Sequence, residues 1–145
     1  MPYFAAMNAE VIFYVGIAIA LAATLWGRVI RERGLKTLNA EELHDLMSSF
    51  AKTRTVSVFV LVGIIALYLI LGATGSFEKL WALGVNPLYA YFGMLILYVF
   101  VTQGLGITRM RRMSLPAAYM KSVYQAAVLQ VIGILSIAVG LVVYL

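Results

Sequence analysis

The sequence predicts an all-α polytopic membrane protein, with four transmembrane helices in an up-down bundle. Three observations carry that expectation. Of 145 residues, 63% are hydrophobic and only 12% charged, about half the charged share of a soluble domain. Four uncharged runs, Val11–Gly27, Thr55–Phe77, Leu80–Thr108 and Ser122–Leu145, reach or approach the roughly 20 residues that cross a hydrocarbon core about 30 Å thick. The runs also lack the strict alternation of barrel strands. Short connections leave one domain, residues 1–145, with spans near 9–30, 55–75, 87–107 and 116–144.

Span one opens near Glu10, where the positive end of the helix dipole favours a carboxylate, and closes at Arg28. Gly34 suits the C′ position that ends the helix. Residues 39–53 then form a cytoplasmic helical segment. Asn39 and Glu42 have capping-box spacing, and Leu43, Leu46, Met47 and Phe50 recur on one face. This amphipathic helix either lies on the membrane or extends the second helix. The extension is favoured, because nothing between Ser49 and Val56 breaks helicity. After span two, Ser76 is expected to cap a short helix closed by Gly84. Asn86-Pro87 opens span three as N-cap and first helical residue, and Ser114 with Pro116 is expected to do the same for span four. Phe77, Trp81, Tyr89 and Tyr91 suit the outer aromatic belt.

Orientation follows from the basic residues. Arg28, Arg31, Arg33, Lys36, Lys52 and Arg54 lie between spans one and two, and Arg109, Arg111, Arg112 and Lys121 between spans three and four; only Lys79 lies on the other side. The positive-inside rule then puts both basic loops in the cytoplasm and both termini outside, N-out/C-out. The expected location is the cell membrane, the cytoplasmic (inner) membrane in a prokaryote. Arg28, Arg31, Arg33, Arg109, Arg111 and Arg112 are the expected contacts to lipid headgroups. The net charge of +5 is accounted for by this asymmetry. The basic residues flank spans with no aromatic platform between them, so no nucleic acid is expected as partner.

Reactive groups are scarce. The chain has no cysteine and one histidine, His44, which excludes thiolate chemistry and leaves no metal site. Phosphate-loop, zinc-protease and serine-hydrolase motifs are absent. No cofactor or catalytic residue is expected. No charged residue lies at mid-membrane depth, against a proton relay or voltage sensor. Tyr98, Gln103, Gln125 and Gln130 are the candidate polar contacts inside the membrane, and interhelical hydrogen bonds are their expected role. Gly16, Ala20, Ala23 and Gly27 on span one, with Ser122, Ala126, Gly133 and Gly140 on span four, form faces of small residues through which helices pack closely.

Size and layout resemble the MAPEG family of membrane glutathione transferases and eicosanoid enzymes. Arg28-Val29-Ile30-Arg31 after span one and Gln103-Gly104-Leu105 late in span three are similar to bacterial members. The family's Arg-x-His-x-Asn-x-x-Glu-x-x-Pro signature falls where this chain reads LMSSFAKTRTVS, residues 46–57. The resemblance therefore implies a trimeric membrane enzyme without the usual signature residues, with Arg28, Arg31 and Tyr98 as contacts to a lipophilic substrate. A pore or transporter for a neutral or hydrophobic solute is a further alternative. The leading expectation is a non-enzymatic structural or accessory subunit, oligomeric or built into a membrane complex.

Overall fold

A computed structural model describes residues 2–145, with side chains described for 8–51 and 53–145. It contains α1 (Pro2–Leu35), α2 (Ala40–Ala73), α3 (Ser76–Ala82), α4 (Pro87–Arg112) and α5 (Ala117–Tyr144), and no strand among the described residues. All but α3 are long and apolar enough to cross a membrane. The chain divides into two compact units. One joins the chain up to Glu42 with Met113–Leu145, and the other is Leu43–Arg112.

In the first unit α1 and α5 pack antiparallel along most of their length. The buried residues of α5, Tyr119, Ala126, Gly133 and Gly140, stand seven apart in the sequence. Each meets a residue of α1 on a matching seven-residue ladder. A Cβ on Gly140 would lie 3.2 Å from Phe13 Cα, one on Gly133 would lie 3.4 Å from Ala20 Cα, and one on Gly27 would lie 3.8 Å from the Ala126 carbonyl oxygen. Gly34 sits under Tyr119, whose ring a Cβ there would approach to 3.5 Å. Small residues therefore face small residues mid-pair, and an aromatic covers a glycine at each end. Phe13 also stacks on Tyr144, ring centroids 5.1 Å apart. A seven-residue repeat keeps one seam facing its partner along two coiled helices. Without side chains to hold them apart, the backbones gain close dispersion contact, a main source of helix association in lipid.

The second unit is built differently. The backbones of α2 and α4 stand apart, and large side chains bridge them. Tyr68 lies 4.5 Å from Tyr91 and 4.7 Å from Phe77, centroid to centroid. Further along, the Tyr98 hydroxyl donates to the Ser57 carbonyl oxygen at 2.7 Å. At the basic end Arg109 donates to the Thr53 hydroxyl and lies over the Phe50 ring. These contacts set an antiparallel register. Gly72 admits the Phe77 ring, which a Cβ there would meet at 2.9 Å.

The Asn39–Glu42 capping box forms in both directions: Glu42 N–H donates to Asn39 Oδ1 at 2.8 Å and Asn39 N–H to Glu42 Oε2 at 3.0 Å. The extension of the second helix is what the structure contains, as α2 runs unbroken from Ala40 to Ala73. Asn86 Oδ1 accepts from Leu88 N–H at 3.0 Å, capping α4. Gly84, at φ 74°, closes α3 in a Schellman arrangement, with Val85 N–H on Leu80 O and Gly84 N–H on Trp81 O, both 2.9 Å.

Three expected ends differ. Gly34 does not terminate α1 in a left-handed conformation; the helix continues through Leu35, and Gly34 is needed for space, since a Cβ would lie 2.7 Å from Ser122 Cβ. Its carbonyl is capped instead by Thr37, through N–H at 3.0 Å and Oγ1 at 2.6 Å. Gly75, at φ 71°, takes the N-cap position before Ser76. Ser114 does not cap α5, whose N-cap is Pro116. A cap at Ser114 would require helical Leu115, which a following proline disfavours. Ser114 instead turns the chain after α4 at φ 53°.

Candidate functional site

The space left between α2 and α4 is a groove of about 450 Å³. Its α2 wall carries Thr53, Ser57, Val60 and Ile64, recurring every three or four residues on one helical face. Its α4 wall carries Met94, Tyr98, Val101 and Leu105. The groove exists because Tyr98 and the Tyr68–Tyr91 pair hold the helices apart like spacers.

Two of its hydroxyls are engaged by backbone. The Tyr98 hydroxyl is on Ser57 O, and Thr102 Oγ1 donates to the carbonyls of Tyr98 or Val99, at 2.9 and 3.0 Å. Among the described residues no carboxylate or imidazole lines the groove, so it offers no base to activate a hydroxyl. Its charge stands at one end. Arg109, one turn beyond Leu105, is exposed and holds a wall residue, Thr53. Among the described residues the guanidinium meets a hydroxyl and a ring, and no carboxylate. Among the described residues the ion pair present is Arg28–Glu32, at 3.0 Å. No cluster of His, Cys, Asp and Glu suited to a metal occurs among the described residues.

A second, smaller apolar recess lies along α1 and α5, lined by Ile12, Val15, Ile19, Ile132, Leu135 and Val139. Ser136, at its margin, turns its hydroxyl to Ile132 O at 2.8 Å, so this recess carries no available polar group and no charge.

Gly16, Ala20, Ala23, Gly27, Ser122, Ala126, Gly133 and Gly140 lie within the α1–α5 pair, and a Cβ on Gly16 would come within 2.5 Å of Ser136 O. Arg31 Nη2 donates to Gln130 Oε1 at 3.0 Å, joining a loop-side cation to an in-span amide. Arg28 is paired with Glu32. Gln103 is half-buried on α4, whereas Gln125 is exposed on α5. Arg33, Arg111 and Arg112 are exposed, as are Glu10 and His44. Arg28 and Arg31 belong to the first unit and Tyr98 to the second. Each of the three holds a protein partner.

Thr53, Ser57 and Phe50 were not singled out as site residues by sequence. A signal exists in retrospect: Phe50, Thr53 and Ser57 share one face of α2, and Tyr98, Thr102, Leu105 and Arg109 share one face of α4. No family model, no curated protein and no solved structure matches the chain. The likeness to the MAPEG family therefore rests on the residues that suggested it and nothing more.

Proposed function

We propose that the chain is a structural or accessory subunit of the cell membrane, with both termini outside, that works by presenting helical surface and self-associates in the bilayer. The observation that carries this reading is the state of α2. No residue in its most apolar stretch is buried, and only side-chain bridges tie it to α4. The small-residue faces of α1 and α5 are occupied by each other; the apolar stretches of α2 and α4 are both unburied, and α2 is the surface we assign to a further copy. Opposite the groove, α2 carries Phe59, Val62, Ala66 and Leu69 along one stripe, with Phe59 72% exposed.

The chain has no cysteine, so a single Phe59→Cys variant reports cleanly. Oxidation in native membranes is expected to yield a disulfide-linked dimer. Leu25→Cys, on the exposed side of α1, should give none. A Phe59→Cys protein that stays monomeric, with a one-chain mass in mild detergent, would remove self-association.

A further inference from the structure

The α2–α4 groove combines one leaflet's depth with one end of positive charge. Its walls run from Thr53 to Ile64 on α2 and from Met94 to Leu105 on α4, about 16 Å at the helical rise. Half of a hydrocarbon core is about 15 Å. The lining is apolar apart from four hydroxyls, those of Tyr98 and Thr102 bonded to backbone, that of Thr53 held by Arg109, and that of Ser57. Arg109 stands at the end, exposed, with the Thr53 hydroxyl and the Phe50 ring against its guanidinium. Arg54 follows Thr53 in α2, Arg111 and Arg112 close α4, and all three are exposed, so the field there is positive.

We propose that this groove is a binding site for an anionic phospholipid of the leaflet on the basic side. One acyl chain lies between α2 and α4, and the phosphate sits on Arg109. The proposal requires the chain to span a bilayer, but neither its orientation nor its self-association. The Phe50 ring and the Thr53 hydroxyl fix the guanidinium at the rim, which reduces the ordering cost of phosphate binding. Charge-assisted hydrogen bonds from arginine to phosphate are the strong kind. A zwitterionic lipid offers the same acyl chain but cancels part of the field, so headgroup charge sets the preference.

The test is lipid retention by the purified full chain, measured by native mass spectrometry. Dioleoyl phosphatidylglycerol and dioleoyl phosphatidylcholine are supplied at equal amounts. The wild type is expected to retain the phosphatidylglycerol about tenfold better, the factor a single charge-assisted contact supports. Arg109→Gln should bring that preference close to unity, whereas Lys79→Gln, distant in sequence and not in the groove, should leave it intact. Val60→Trp fills the groove from α2 and should abolish retention of both lipids. Val101→Trp does so from α4 and serves should the first variant fail to fold. Equal retention of the two lipids by the wild type overturns the proposal, as does an undiminished preference in Arg109→Gln. A lipid-free wild-type dimer that Val60→Trp or Val101→Trp converts to monomer would assign the groove to a second copy, and the lipid site would fall.

Discussion

Tyr98 and Gly16 show how much one atom decides inside a membrane. The Tyr98 hydroxyl bonds the Ser57 carbonyl at 2.7 Å, joining helices whose backbones stand apart. Interhelical hydrogen bonds in membrane proteins average about 0.6 kcal/mol. Tyr98→Phe should lower stability by about that amount in a denaturant titration, with a larger loss of protection on α2 than on α1. No change in either would mean that the ring alone holds the pair. Gly16 is the opposite case, a missing atom. A Cβ there would lie 2.5 Å from Ser136 O, a backbone atom held in its own helix. Gly16→Ala should cost about 1–3 kcal/mol, the range for overpacking. Gly63→Ala, where nothing lies within 4 Å, should be neutral or better. Equal effects at the two glycines would refute the close α1–α5 approach. The sequence named both Gly16 and Tyr98, but neither partner. Each partner is a backbone carbonyl, which every residue possesses, so side-chain chemistry could not distinguish it.

Helices and their ends were legible where the physics is local. The Asn39–Glu42 box needs only four consecutive residues, and it forms with both bonds in place. Replacing Asn39 with Ala should destabilise α2 by about 1 kcal/mol, seen as faster amide exchange in its first turn. An unchanged exchange rate would show that the box contributes nothing. The same local logic misled at Ser114, because a competing local rule, the constraint of Pro116 on Leu115, overrode it. Ser114 now occupies a left-handed conformation at φ 53°, which costs a non-glycine residue about 1–2 kcal/mol. Ser114→Gly should therefore raise the melting temperature, and a fall would argue that the serine side chain compensates. The α1–α5 pairing sits between these cases. Its small residues were visible in each helix separately. The alignment of Gly140 on Phe13 and of Gly133 on Ala20 is a property of two segments far apart in the chain, and no single-helix pattern contains it. Gly34 was misread for a related reason. Its sequence position fits a helix end, but its use is to admit Ser122 and Tyr119.

At the scale of the whole molecule, four apolar helices and an uneven distribution of charge combine into one expectation about sidedness. Ten of the eleven basic residues fall within residues 28–54 or 109–121, the stretches that contain the α1–α2 and α4–α5 connections, and Lys79 alone falls in the stretch between α2 and α4. Moving an arginine-rich turn across a bilayer is costly, and loops as short as these are governed by that cost. The two basic connections should therefore share the cytoplasmic side, with α3 opposite. Single cysteines in this cysteine-free chain measure it directly. Ser114→Cys lies in the α4–α5 connection and Leu83→Cys just after α3, and both positions are exposed. A membrane-impermeant maleimide added to intact cells should label Leu83→Cys and leave Ser114→Cys untouched until the membrane is opened. The reverse pattern would invert the protein. It would also move Arg109, and with it the charged end of the α2–α4 groove, to the outer leaflet, where the lipid available to the groove would be drawn from a different population. Labelling of both positions from outside would mean that α4 does not cross, and the count of spans would have to change.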